Sequence, residues 1–332
     1  MRTGKVSGNI INRSVLKTIK YKNSEYILMG ALPGGDASIS IDGTVMASAT
    51  AGLMFGEEML LFDIKRALVN AVNNVAVAGG RPKAANVNLI LPKKTQEQDI
   101  KTYMRYISGL CEEMGIEITG GDTEVTLNVS TPIIVFNVYG DYIYKKFEKS
   151  TEIAKAGMEL ILIGDIAMSG TASIVYLKKD DLNKRFQSSY IKLALQTENA
   201  MNISKEAVLL AEKYDIKIMH DLSRGGIYSA IWQLSEKVGM GVEVYLDKIS
   251  IRQETIEVCE LFTINPYKLI SNGAFFVVCE NAKELLEELR NDGINASIVG
   301  KLREDFDKVI LKGEEKRYVE PPKGDEIYNI IL

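Results

Sequence analysis

Residues that commonly signal chemistry are scarce in this sequence. In 332 residues there is one histidine, His220, one tryptophan, Trp232, and three cysteines. Cys111, Cys259 and Cys279 form no CxxC pair, and one histidine cannot build a histidine-rich cluster, so a zinc site is not expected. Each cysteine stands in an apolar helix or strand pattern, where a free thiol acts as a small buried hydrophobe. Charge of one sign is also missing. Forty basic residues face 44 acidic ones, a net charge of -4, which supplies no broad positive field and disfavours nucleic acid as a partner. No apolar run approaches the ~18 residues needed to span a bilayer, and the opening MRTGKVSGNIINRSVLKTIKYKN has no signal-peptide core. The expectation is a cytoplasmic protein with no membrane contact. No GxxxxGK[ST], no strand-borne GxGxxG and no GxSxG occurs, so neither a Walker loop, a dinucleotide turn nor a serine-hydrolase elbow is supported.

What is present reads as a mixed chain long enough for about two domains. EYILM, SISID and TVMAS read as short strands around the turn LPGGDA. From Glu57 to Ala78, Leu60, Ile64, Leu68, Ala71, Val72 and Val75 recur at helical spacing, which predicts a long, largely buried helix stopped by Gly79 and Gly80. ANVNLIL and TPIIVFNVYG read as strands flanking a helix whose face carries Ile100, Ile107, Cys111 and Met114. The lysine-rich stretch DYIYKKFEKSTEIAKAG breaks this pattern, and the domain boundary is placed there, giving 1–149 and 150–332. Further strands are expected at ELILIGD, IKIM, GVEVYL, AFFVVC, ASIVG and KVILK. A helix after HDLSRGG buries Ile227, Ala230, Ile231, Leu234 and Val238 and ends at Gly239.

Four glycine-bearing segments adjoin strands: PGGDAS, TGGDTEV, IGDIAMSGT and HDLSRGG. Each reads as a turn. Glycine there permits close backbone approach, and a helix starting just after one presents free N–H groups with partial positive charge, the outline of a phosphate cradle. Asp36 and Asp122 sit in two of them, and carboxylates sharing a cleft with phosphate commonly do so through magnesium. Gly-Asp turns are common at strand ends as plain connections, so no one of these segments taken alone points to function. His220, beside an aspartate and before a glycine turn, reads as a structural hydrogen-bonder.

Taken in order, the segments VNNVAVAGGRP, ITGGDTEVT, HDLSRGGIYSAI and CELFTINPYKLISNGAFFVV resemble those of the aminoimidazole ribonucleotide synthetase (PurM-like) superfamily, nearest to its hydrogenase-maturation HypE branch. The resemblance runs from about Gly34 to Ile327. It implies an α+β, two-domain architecture: an N-terminal α/β domain that dimerises into a β-barrel, and a C-terminal α/β domain. ATP with Mg2+ is implied in the cleft, with phosphoryl transfer to a carbonyl, amide or other small-molecule acceptor. Carried over residue by residue, the nucleotide site would comprise Asp36, Asn74, Gly120, Gly121, Asp122, Asp221, Arg224, Gly225 and Gly226, with Asp36 and Asp122 on the metal.

The chain also departs from the pattern. Asn73-Asn74 stands where the family has Asn-Asp, Ser48 stands about where an aspartate is expected, and AMSG, Ala167 to Gly170, replaces a GDHG element. Neutral oxygens hold a hard divalent ion less well than carboxylates do. The sequence closes with GDEIYNIIL, so Leu332 stands where HypE carries its reactive cysteine, and hydrogenase maturation by that thiol is not expected. The alternative to an active enzyme is therefore a catalytically degraded HypE-like homodimer with a binding or regulatory role.

Overall fold

The structure is a computed structural model that describes residues 4, 6, 8–21, 25–146, 148–214, 216–322 and 324–331; Leu332 lies outside the described residues. Two sheets organise the chain. The first has six strands: β1 (Ile27–Met29), β2 (Ser38–Ser40), β3 (Thr44–Ala51), β4 (Gly80–Pro92), β5 (Glu117–Thr126) and β6 (Ile133–Tyr142). Their order is β1-β2-β3-β6-β4-β5, antiparallel except for the β4 and β5 pair. Period-two alternation sends Val45, Ala47, Val87, Leu89, Phe136 and Val138 to one buried face. Helices α1 (Gly8–Ser14), α2 (Leu60–Val77) and α3 (Glu97–Met114) complete this half.

Seven strands form the second sheet: β7 (Glu159–Ile163), β8 (Ile218–Asp221), β9 (Gly241–Tyr245), β10 (Phe275–Cys279), β11 (Ala296–Arg303), β12 (Lys308–Lys312) and β13 (Glu315–Tyr318). The order is β13-β12-β9-β11-β7-β10-β8. Around it lie α4 (Ser150–Ile153), α5 (Met168–Leu177), α6 (Lys179–Arg185), α7 (Ser188–Leu195), α8 (Ser204–Lys213), α9 (Gly226–Val238), α10 (Gln253–Leu261), α11 (Ala282–Asn291) and α12 (Tyr328–Ile331). β13 is one strand the sequence pattern does not predict: every residue of EKRY is exposed, and it has no apolar face to betray it.

Helix α2 positions the site because it is buried on more than one side. Leu60, Ile64, Leu68, Ala71 and Val75 pack into the first sheet's core. Phe62 and Val69 join the main core of the second half, and Ala76 and Val77 join a smaller core with Ile161, Ile203 and Met219. Burying residues of this size contributes about 1.5–3 kcal/mol each, so the wall between the halves is held by α2 itself. Asn73 ties the same helix to the chain entering α8, donating to the Met201 carbonyl at 2.8 Å and accepting from the Ile203 amide at 3.1 Å.

One expectation changes. TGGDTEV is no turn: Gly120, Gly121 and Asp122 lie inside the edge strand β5, paired in parallel with Asn86, Val87 and Asn88. The extended backbone of an edge strand needs no turn chemistry. A Cβ on Gly121 would fall 1.8 Å from the Val87 carbonyl oxygen, so that glycine answers to strand packing.

Candidate active site

A cavity of about 530 Å³ opens where the two halves meet, lined by the Leu32–Asp36 loop, β3, α2, the turn from β8 into α9, and the chain near Asp325 and Tyr328. The nine sequence-assigned residues do not share one fate. Asp36, Asn74, Asp221, Arg224 and Gly225 line the cavity; Gly226 sits behind it; Gly120, Gly121 and Asp122 are outside it on the exposed β5 edge.

At its floor is a buried polar cluster centred on Asp36. The loop bearing Asp36 presses on α9: Gly34 has φ +69°, and a Cβ there would lie 2.1 Å from the Gln233 carbonyl oxygen, so only glycine allows this approach. Asp36 Oδ1 accepts from His220 Nδ1 at 2.8 Å, and Oδ2 accepts from Lys237 Nζ at 2.5 Å. The ammonium donates again to the Met219 carbonyl at 2.7 Å, and His220 Nε2 faces the Gln233 amide at 3.2 Å. The three side chains Asp36, His220 and Lys237 are only 3, 2 and 7 % exposed. Burial pushes the Asp36 carboxyl up, but the adjacent charges and hydrogen bonds of His220 and Lys237 outweigh it and hold the group well below the usual carboxylate range. Beside this cluster Asn74, with its amide turned to donate, reaches both oxygens of Asp221 at 3.1 and 3.2 Å.

The glycine turn is less open than its sequence suggests. The Gly225 amide donates to Asp325 Oδ2 at 2.5 Å and the Gly226 amide donates to the Ser223 carbonyl. Gly226 has φ +63°, and a Cβ there would meet the Tyr267 and Leu269 carbonyl oxygens at 2.5 and 2.7 Å, which explains the glycine by packing alone. Asp325 Oδ1 also accepts from the amides of Ile270 and Ile327. Its carboxyl is pushed up to about 6, chiefly by burial, with those three N–H groups and Arg224 pulling the other way.

Two arginines also belong to the cavity. Arg66 is buried in an ion pair with Asp63, its Nε 2.7 Å and its Nη2 2.6 Å from the same Oδ1. Arg224 lines the same cavity with no carboxylate at ion-pair distance among the described residues; burial first, and the charge of Arg66 second, push its guanidinium down. Two guanidiniums kept close at such cost suit an anion.

Lys237, Gln233, Arg66 and Asp325 are site residues that sequence reasoning missed. Lys237 is on the helix opened by HDLSRGG, one turn beyond Gln233, and reads there as an ordinary solvated charge. Only the lone histidine gave a signal, and its partners lie 184 residues earlier and 13 later. Of the departures, Asn73 belongs to the fold rather than the cavity, while Ser48 lines the cavity and donates to Asn137 Oδ1 at 2.7 Å. The thiols of Cys111 and Cys259 are buried and pushed up to about 11 and about 12 by burial, consistent with an inert packing role. No helix of the described residues is long and apolar enough to cross a membrane.

Residues 33–141 match the AIR synthase related protein N-terminal domain, and residues 155–312 match the AIR synthase related protein C-terminal domain. The chain belongs to the AIR synthase-related family, with the PurM-like fold. A putative hydrogenase expression/formation protein of Methanocaldococcus jannaschii is 25% identical over 342 residues, covering 97% of this chain and 96% of that protein. Among solved structures, a HypE–HypF complex aligns with a TM-score of 0.74 at 18% identity, covering 94% of this chain and 99% of that one. HypE in complex with ATP aligns with a TM-score of 0.68 at 16% identity, covering 98% and 97%.

Proposed function

We propose that the interdomain cavity binds ATP and that the chain is an ATP-dependent protein transferring a phosphoryl group to a carbonyl, amide or other small-molecule acceptor. The observation that carries this reading is the convergence, from both halves of the chain, of Asn74, Asp221 and Arg224 with a second guanidinium, that of Arg66, in one cavity. The ATP complex of HypE, a protein of the same fold, supports it. In this reading Arg224 and Arg66 meet the phosphate chain, where positioning and charge neutralisation carry most of the catalysis. Ser223 adds a cavity-lining polar group at the same turn.

Magnesium does not fit the two carboxylates assigned to it. Asp36 has both oxygens engaged by His220 and Lys237, and Asp122 is exposed on β5 outside the cavity. No step is therefore derived through a metal held by these residues. This observation favours a second reading in which the cleft binds nucleotide without turning it over, as a binding or regulatory homodimer. The dimer is proposed to form through β5, a ten-residue edge strand with Val125 52% exposed and an unpaired outer side. Domains of 1–149 and 150–332 and a cytoplasmic location complete the proposal.

Calorimetric titration with ATP, followed by an assay for ADP release, tests it. Binding that weakens about tenfold or more in Arg224→Ala is expected, since a hydrogen bond to a charged group contributes about 1.5–3 kcal/mol. Binding with turnover supports the enzyme, and binding without turnover supports the regulatory reading. Absence of binding by the wild type would refute both.

A further inference from the structure

Lys237 carries a consequence for the kind of ligand the cavity takes. Its ammonium is nearly enclosed, lies 2.5 Å from Asp36 Oδ2, and spends a second N–H on the Met219 carbonyl. His220 Nδ1 holds the other Asp36 oxygen at 2.8 Å. Asp36, His220 and Asp221 do bring their ligand atoms within 4.8 Å of one another, the one such cluster among the described residues. To enter it, a divalent ion would have to expel Lys237 from Asp36 and leave a buried ammonium without its counter-charge, which costs several kcal/mol. The neighbours offer little in return. Asn74 and Ser48 are neutral, and Asp221 is already held by the Asn74 amide. Hard cations draw most of their affinity from carboxylates that are free to ligate.

We propose that the Lys237 ammonium is the built-in cation of this cleft, occupying the carboxylate a divalent ion would need, so that the cavity takes a nucleotide di- or triphosphate without a metal ligated by the protein. The ligand class rests on the nucleotide reading above; the role of Lys237 does not. With Asp36 neutralised from within, the phosphate charge is met by Arg66 and Arg224, which line the same cavity. Lys237 here is a positioning residue: it fixes Asp36, and through Asp36 the loop that Gly34 seats on α9.

The test is Mn2+ binding to the ligand-free full-length protein, read from loss of the free-ion signal in electron paramagnetic resonance. Wild type is expected to leave Mn2+ free. Lys237→Met, which keeps the stem and removes the charge, is expected to bind Mn2+ at least about tenfold more tightly, and adding Asp36→Asn should abolish the gain. Lys237→Gln serves as a second variant, with thermal unfolding to confirm that both remain folded. Wild-type uptake of Mn2+ that is lost in Asp36→Asn would overturn the proposal, as would folded Lys237 variants no different from wild type. ADP titrated into the wild type with Mg2+ or with EDTA should give affinities within about threefold, well under the roughly tenfold that 1.4 kcal/mol produces. A clear dependence on Mg2+ that vanishes in Asp36→Asn would again overturn it. If ADP does not bind but the Mn2+ pattern holds, the nucleotide reading fails alone and the role of Lys237 stands.

Discussion

Replacing Asn73 and Asn74 one at a time should separate a residue of the fold from a residue of the site, although the two are adjacent on α2. Asn73 is 1% exposed and satisfies two backbone groups across the junction, the Met201 carbonyl and the Ile203 amide. Asn73→Ala leaves both groups buried and unpaired, at about 1–3 kcal/mol each, so a loss of about 2–6 kcal/mol is expected, partly offset if water reaches them. Asn74 instead lines the cavity, where water can replace its contact with Asp221, so Asn74→Ala should cost less than about 1 kcal/mol. Urea unfolding followed by circular dichroism measures both. Nucleotide titration should show the reverse order, with Asn74→Ala weakening ATP and Asn73→Ala leaving its affinity near wild type at temperatures where the variant is folded. An Asn73→Ala protein within 1 kcal/mol of wild type would refute the assignment of this side chain to the junction.

Other substitutions test other parts of the structure. Gly226→Ala should lower the melting temperature by several degrees or prevent folding, because a methyl group would lie 2.5 Å from the Tyr267 oxygen at a φ of +63°; unchanged melting would contradict the packing explanation. Asp325 gives a pH dependence of definite sign. Its folded carboxyl, pushed up to about 6 from an ordinary 3.8, contributes stability that is present below pH 3.8 and is lost as pH rises through about 6. The difference corresponds to about 3 kcal/mol. Asp325→Asn cannot titrate, so wild type should lose stability relative to this variant between pH 4 and pH 7, with a constant offset from the bond to Gly225; parallel stability profiles would refute it. Val125→Lys places a charge on the β5 edge and should shift sedimentation from dimer to monomer. A wild type already monomeric at micromolar concentration would end the dimer proposal.

Much of the architecture was legible because it follows from periodicity. The α2 pattern from Leu60 to Val75 and the α9 pattern from Ile227 to Val238 name the buried faces correctly, and the Gly239 cap stands in the left-handed region at φ +69°. TGGDTEV misled because glycines and an aspartate next to a strand read as a turn, whereas parallel pairing with β4 made the segment itself a strand. Nothing local records that pairing. Of the cavity, Asp36, Asn74, Asp221, Arg224 and Gly225 were named from the sequence, whereas Arg66, Gln233 and Asp325, and the bonding around Asp36, were not. Asp36, His220 and Lys237 are far apart in sequence, and a lysine that elsewhere would be solvated is enclosed only because the Gly34 loop closes over α9. Gly225 and Gly226 were read for their freedom to approach a phosphate, yet Asp325 already holds one of those amides from 100 residues downstream.

Helix α2 serves as common wall to three apolar cores, with Leu60 and Ile64 on one side and Phe62, Val69 and Val77 on the others. Neither half of the chain owns it. Expressing residues 33–141 alone would strip the outer faces of α2 bare, and expressing residues 155–312 alone would leave Ile203 and Met219 without their cover. The two matched domains are thus evolutionary units without being thermodynamic ones, and heat should melt them in a single transition. A cleft with such a wall cannot gape like a hinge. The two pieces at its rim differ: α1 buries none of its residues, whereas the chain around Tyr328 is anchored in the second half's core by Ile327 and Ile330, so ligand entry is expected past α1.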